Sequence, residues 1–348
     1  MQNNVNINID GLLTHIYKTN NETNNETNNE TNNETNNVTN NVTKIKKYNF
    51  FAKNEISINN ILHLTENKRN RYITINNARK LQINDNKKTI TKINQENAYI
   101  MIKYSENDGE YIEGITRFLS NKRESEYIYG VIESYLYIIK TFHQLKKQGI
   151  IYFSFSSEKM KFKTIYNPHC IIYDFETSLL EKKLKGEKND IIGYFCNFIK
   201  KINDFTFKPF EVHVLFYLYR MEEEYLSKYK ITNIINTFVE NMENILKEED
   251  MTMIKENCEQ NMNQFINKNR NDVIINLIQH FNTWDNYSVS ILYLHLVENI
   301  ILGYKKQIRF MSKFQDILYK NISPNPQHRL SIEETIQQFQ ELFQYWHN

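Results

Sequence analysis

The chain has 348 residues, 40% of them hydrophobic, which is enough for one large domain or two modest ones with a sizeable core and excludes wholesale disorder. Its 43 Lys and Arg against 41 Asp and Glu leave a formal charge of +2, so net charge gives no reason to expect nucleic acid as a partner. Only 8 Gly and 4 Pro occur, against the ~24 and ~17 that ordinary usage gives in this length, which strains any reading that needs a glycine-rich phosphate loop.

Cys170, Cys196 and Cys258 are far apart, and neither a C-x-x-C nor a Cys/His cluster accompanies them. A disulfide framework and a zinc module are therefore not expected. Met1–Asp10 is polar, with no signal-peptide core, and the longest apolar stretch, Ser290–Tyr304, is broken by His295, Glu298 and Asn299. The expectation is an intracellular, cytoplasmic protein without a membrane span. The excess of Asn, Ile, Lys and Tyr suggests AT-rich coding, as in some large DNA viruses and protists; a viral protein would sit in the host cytoplasm or the virion.

In chain order, alternating apolar residues at Val5–Tyr17 predict a strand pair. Asn20–Thr43 is six tetrapeptides, N-N-E-T four times and N-N-V-T twice. A tract with so little to bury predicts a disordered or loosely extended loop, read as a tolerated repeat expansion. Val42–Phe51 reads as a strand and Asn54–Leu64 as a short helix with Ile58, Ile61 and Leu62 on one face; Arg71–Ile75 and Ala98–Tyr104 are further strand candidates. From Tyr127 the character changes. Ile128, Val131, Ile132, Tyr135, Ile138, Ile139 and Phe142 predict an amphipathic helix over Tyr127–Lys147. Helices are also expected around 211–225, 231–247, 253–267, 271–281, 286–303 and 331–345. The basic runs Lys44–Lys47, Lys68–Arg71 and Lys182–Lys188 read as solvated charge.

Five segments carry a further pattern. Phe142–Phe162 gives a helix end, a G-I-I strand and a loop; Cys170–Glu176, C-I-I-Y-D-F-E, gives a second strand delivering Asp174. K-P-F-E follows at Lys208–Glu211, W-D-N-Y-S-V-S-I-L-Y-L at Trp284–Leu294, and N-P-Q-H-R-L-S-I-E-E-T-I at Asn325–Ile336. In this order, over Ala98–Phe343, the chain resembles the protein-kinase superfamily, most closely the divergent Ser/Thr kinase-like proteins of large DNA viruses. The resemblance implies an α+β, bilobal fold: a small β-rich N-lobe at 1–103 containing the repeat, and a large helical C-lobe at 104–348. Glu211 and Asp285 stand 74 positions apart, which implies a helical insert at about 215–275.

The resemblance also assigns roles. Glu211 and Arg329 fit a buried ion pair, and Asp285 fits an acceptor for the backbone of the catalytic loop. Lys44 or Lys46 is the lysine that would pair with Glu55 to orient ATP phosphates, and the backbone around Ile102 to Tyr104 would contact adenine. Asp174 is the candidate metal ligand, with Glu176 in place of glycine; on a strand the two carboxylates would face one side. Aligned on G-I-I, however, Ser154 replaces the catalytic Asp and Lys159 the metal-binding Asn. A serine hydroxyl is no base near neutral pH, and a lysine puts a cation where a second magnesium belongs. No catalytic residue is intact, and ATP and Mg remain candidate cofactors only. The leading expectation is a pseudokinase-like binding or regulatory module with a protein partner. The alternatives are an active atypical Ser/Thr kinase and a structural or packaged virion-type protein.

Overall fold

The structure, a computed structural model, describes residues 16–18, 42–64, 71–81, 99–105, 111–201, 205–221, 224–243, 245–304 and 309–347. The Asn/Glu/Thr repeat lies outside the described residues apart from Val42 and Thr43, and so does the Val5–Tyr17 segment apart from Ile16 and Tyr17.

The first sheet is built on one apolar strand. β4 (Tyr99–Tyr104), which follows β1 (Ile16–Lys18), β2 (Val42–Lys47) and β3 (Ile75–Leu81), turns Ile100, Ile102 and Tyr104 to its buried face by simple alternation. It pairs antiparallel with β2 on one edge and β3 on the other, giving the order β1-β2-β4-β3. Between β2 and β3 runs α1 (Phe50–Leu62), whose start is fixed by Asn49: its side-chain oxygen accepts from the N–H groups of Phe51 and Ala52. Ala52 packs with Ile73, Ile75, Ile100, Ile102, Tyr104 and Ile171 in a small apolar cluster under the sheet. The strand expected at Arg71–Ile75 is displaced. Tyr72 makes only a single bridge to Ile172, and the strand begins at Ile75. The I-N-N-A-R-K-L run does not alternate, and its strand is held at the sheet edge by the ladder to β4.

The chain then makes β5 (Ile112–Glu113), α2 (Ile115–Leu119) and α3 (Glu124–Lys147). Val131, Tyr135, Ile138, Ile139 and Phe142 are buried, as their helical spacing predicts. Gly149, just past the end of α3, takes φ +68°, the left-handed turn that closes a helix and that a side chain would strain. Four short strands follow: β6 (Ile150–Ile151), β7 (Met160–Phe162), β8 (Ile171–Ile172) and β9 (Leu179–Leu180). They form the sets β5-β7-β8 and β6-β9.

The rest is helical: α4 (Lys188–Ile199), α5 (Phe210–Met221), α6 (Lys228–Glu240), α7 (Glu248–Met262), α8 (Arg270–Ile278), α9 (Trp284–Tyr304), α10 (Arg309–Asn321) and α11 (Ile332–His347). α6 and α7 fall in the 215–275 stretch expected to be a helical insert, and α8 begins within it and runs on to Ile278. α9 is buried along most of its length and packs on α3 and α10. Tyr135 joins the elements of this body, its ring meeting Tyr293 of α9, Phe314 of α10 and Phe339 of α11 at 5.1, 4.8 and 5.3 Å. α2, α4 and α10 are additional to the expected helices. α4 carries Gly193 at mid-helix, which weakens its signal, whereas Phe310, Phe314, Ile317 and Leu318 of α10 are spaced as a plain amphipathic stripe. The fold is α+β, a small sheet region and a larger helical part. Among the described residues, no helix is long and apolar enough to cross a membrane.

Candidate functional site

Glu211, in the first turn of α5, and Arg329, after α10, are 118 positions apart yet form a buried bidentate pair. Arg329 Nη1 lies 2.5 Å from Glu211 Oε1, and Nη2 lies 2.8 Å from Oε2. Trp284 Nε1 donates to the same Oε1 at 2.9 Å, while Arg329 also donates to the carbonyl of Ser323 (2.7 Å) and the hydroxyl of Thr283 (3.1 Å). All three guanidinium nitrogens and both carboxylate oxygens are thereby engaged, the condition under which a buried ion pair is tolerated.

Asp285, at the start of α9, accepts from the N–H of Tyr152 (2.8 Å) and of Phe153 (3.0 Å), one on each carboxylate oxygen. Burial raises its pKa from 3.8 to about 6, and those two N–H groups limit the rise. The segment it holds is strained: Phe153 has φ +55°, a conformation costing about 1–2 kcal/mol in a non-glycine residue. Phe153 is fixed from all sides, since Lys208 donates to its carbonyl and its ring packs on Phe195 and Trp284.

The cleft beside this segment gathers the remaining charges. Lys46 on β2 pairs with Glu55 on α1 at 2.9 Å, and Glu55 also accepts from the Tyr104 hydroxyl at 2.9 Å. Burial alone would lower the Lys46 pKa; the attraction of Glu55, then of Tyr104 and Glu176, outweighs it and holds the ammonium well above the usual lysine value. Lys46 is thus the paired lysine of the two candidates, and the run Lys44–Lys47 is not uniformly solvated, because β2 turns Lys46 inward. Lys44 sits 5.3 Å above the Tyr104 ring. Arg71, from the second run, is likewise engaged, with Thr141 at 2.7 Å and the Tyr137 ring at 4.7 Å.

Ser154 contacts the Thr177 hydroxyl, and Lys159 donates to Ser154 Oγ at 3.3 Å while pairing with Asp174 Oδ2 at 3.0 Å. Asp174 has φ +64° and lies in irregular chain past β8, which ends at Ile172. Asp174 and Glu176 therefore do not share a strand face: Asp174 meets Lys159, whereas Glu176 meets Lys46 at 3.1 Å and Lys201. Among the described residues, no three His, Cys, Asp or Glu side chains converge to hold a metal ion. The backbone of Ile102 is also not available for adenine, because the residue lies mid-strand, opposite Lys44 and Ala78. Tyr104 contributes its side chain instead.

The cavity at this place is lined by Lys44, Lys46, Glu55, Ile73, Tyr104, Lys161, Tyr173 and Asp174 and has a volume of about 20 Å³, room for one or two waters. Sequence reading missed Lys161, which pairs with Glu113 at 3.2 Å and lies 4.6 Å above the Tyr173 ring, and Lys201 and Lys208. Lys208 was within sight, in the K-P-F-E motif. Lys201 reaches Glu176 by tertiary folding alone, and nothing in its local sequence marks it. No protein-family model and no curated protein matches this chain.

Proposed function

We propose that this chain is a pseudokinase-like protein: a bilobal, protein-kinase-like scaffold that binds or regulates a protein partner and does not transfer phosphate. The strand–helix unit carrying Lys46 and Glu55, the Asp285 cradle and the Glu211–Arg329 clamp support the scaffold. The observation that carries the loss of chemistry is the 3.0 Å pair between Lys159 and Asp174. The Lys159 ammonium neutralises Asp174, the candidate metal ligand, and Ser154 supplies neither a base nor a charge to orient a nucleophile. The residues present do not fit magnesium, because the candidate ligand Asp174 is paired with Lys159. Partner binding falls to the surface. The stretch from α5 to α6 offers exposed Met221, Tyr225 and Tyr229 at the edge of the expected insert.

The intact Lys46–Glu55 pair favours an active atypical kinase as the second reading, since such a pair orients phosphates in a working enzyme. A thermal-shift titration with ATP, with and without magnesium or manganese, separates the two. Ligand at 100 times its dissociation constant would add about 2.7 kcal/mol, readily visible as a shift in Tm. The pseudokinase reading expects no metal-dependent shift in the wild type or in Asp174→Ala. A metal-dependent shift abolished by Asp174→Ala, with phosphate transfer to a generic protein substrate, would overturn it.

A further inference from the structure

Glu176 is the carboxylate of the cleft that pairs with two lysines, and both contacts are long-range in sequence. Lys201, beyond the end of α4, holds one carboxylate oxygen, and Lys46 of β2 holds the other at 3.1 Å. Each lysine has a second anchor that does not involve Glu176: Lys46 pairs with Glu55 at 2.9 Å, and Lys201 lies 4.3 Å above the Phe51 ring. The backbone of the segment is held separately too, because Asn54 of α1 donates to the carbonyls of Glu176 (3.1 Å) and Ser178 (2.8 Å). Two ammoniums and the segment between them are therefore positioned with or without the carboxylate. Lys44 and Lys161, which line the adjoining cavity with Lys46, add to the positive potential.

We infer that the Lys46–Lys201 pair is an oxyanion-binding site that the chain fills with its own Glu176 carboxylate, an internal ligand that excludes phosphoryl and other tetrahedral oxyanions from the cleft. A carboxylate and a phosphoryl group both present paired oxygens to charged donors and are held by the same charge-assisted hydrogen bonds. Both cations bring the Glu176 carboxyl below the usual range, against the opposing effect of burial. An external anion must therefore displace a group that stays ionised and is tethered at high effective concentration. This deepens the non-transferring reading, since the closed arrangement of β2, α1 and the 173–178 segment then needs neither nucleotide nor metal.

The probe is inorganic pyrophosphate with a chelator present, at constant ionic strength, read by thermal shift on wild type, Glu176→Ala and Glu176→Ala/Lys201→Ala. Glu176→Ala is expected to melt lower than wild type in buffer, and to rise by about 3 °C or more with saturating pyrophosphate. Wild type and the double variant should move by less than a third of that. An equal response in wild type and Glu176→Ala, or a gain that survives loss of Lys201, overturns the assignment. Should Glu176→Ala not fold, Glu176→Gln, which keeps the shape and removes the charge, must show the same gain, and its absence counts against the site equally. The wild-type titration with metal and ATP tests the wider reading separately: a magnesium-dependent shift there would overturn the non-transferring cleft, while the metal-free comparison of variants still decides the role of Glu176.

Discussion

Glu211 carries its charge at a buried position. Arg329 is its counter-ion, and Trp284 and Thr283 complete the hydrogen bonding. Removing one partner leaves the other charged and buried, which costs about 3–5 kcal/mol, whereas removing both with apolar substitutes is far milder. Glu211→Gln is therefore expected to lower the unfolding free energy by at least about 3 kcal/mol, and Glu211→Leu/Arg329→Met by clearly less than the two single losses together. Urea unfolding of wild type, Glu211→Leu, Arg329→Met and Glu211→Leu/Arg329→Met closes the cycle; additive losses would mean that the pair is not coupled. Both residues are legible in the sequence, since each sits in a motif of its own. Trp284 opens a motif of its own, but its donation to Glu211 is not legible there, because a side-chain hydrogen bond across 73 positions leaves no local trace.

At the level of elements, α1 and its C-cap His63 meet the edge strand β3 at the Ile75 backbone, where His63 Nε2 lies 2.8 Å from the carbonyl. Asn59 donates to the carbonyl of Ile75 at 3.1 Å and accepts from its N–H at 2.6 Å, reproducing with one amide the pair of bonds a neighbouring strand would give. The site is buried, so Asn59→Ala leaves the Ile75 N–H without a partner, while the carbonyl keeps His63 Nε2 at 2.8 Å, and is expected to destabilise by about 2 kcal/mol. Amide exchange at Ile75 should accelerate with it, measured by NMR or mass spectrometry. Unchanged protection at Ile75 would show that the β4 ladder alone holds the strand. The same junction shows where sequence reading ends. α3 was plain because a seven-residue apolar stripe at helical spacing has one solution, and β4 because Y-I-M-I-K-Y alternates. β3 was placed too early, because its polar sequence is held by pairing with β4 rather than by burial of its own face. The cleft was half legible for a related reason: Lys46, Glu55 and Asp174 lie in recognisable local patterns, but the partners that decide their chemistry, Lys159, Glu176 and Lys201, are joined by tertiary folding.

At the scale of the whole molecule, the apolar interior is unequally divided. The sheet region rests on a small cluster around Ile100 and Ile102, while α3, α9, α10 and α11 share a continuous body of interlocking aromatics. The sheet itself touches that body through Ile171, the Tyr72–Ile172 bridge and the cations around Glu176, while α1 joins the two by burying Ile58 and Leu62 in the larger body, setting Phe50 and Phe51 on Phe198, and holding the 176–178 backbone through Asn54. Opening free energy follows buried apolar contact, so elements with a thin core open first. Native-state hydrogen exchange is therefore expected to resolve two levels, with the amides of Ile100 and Ile102 opening at about 2 kcal/mol or more below those of Val289 and Ile291 in α9. Glu176→Ala should widen that gap by lowering the sheet and leaving α9 unchanged, because the carboxylate bridges β2 and the end of α4 without touching α9. Equal protection at both places would mean one cooperative unit in which the ion pairs of the cleft act as part of a single core. A divided result would mean that the sheet region is a separately opening element held shut by charges supplied from within the chain.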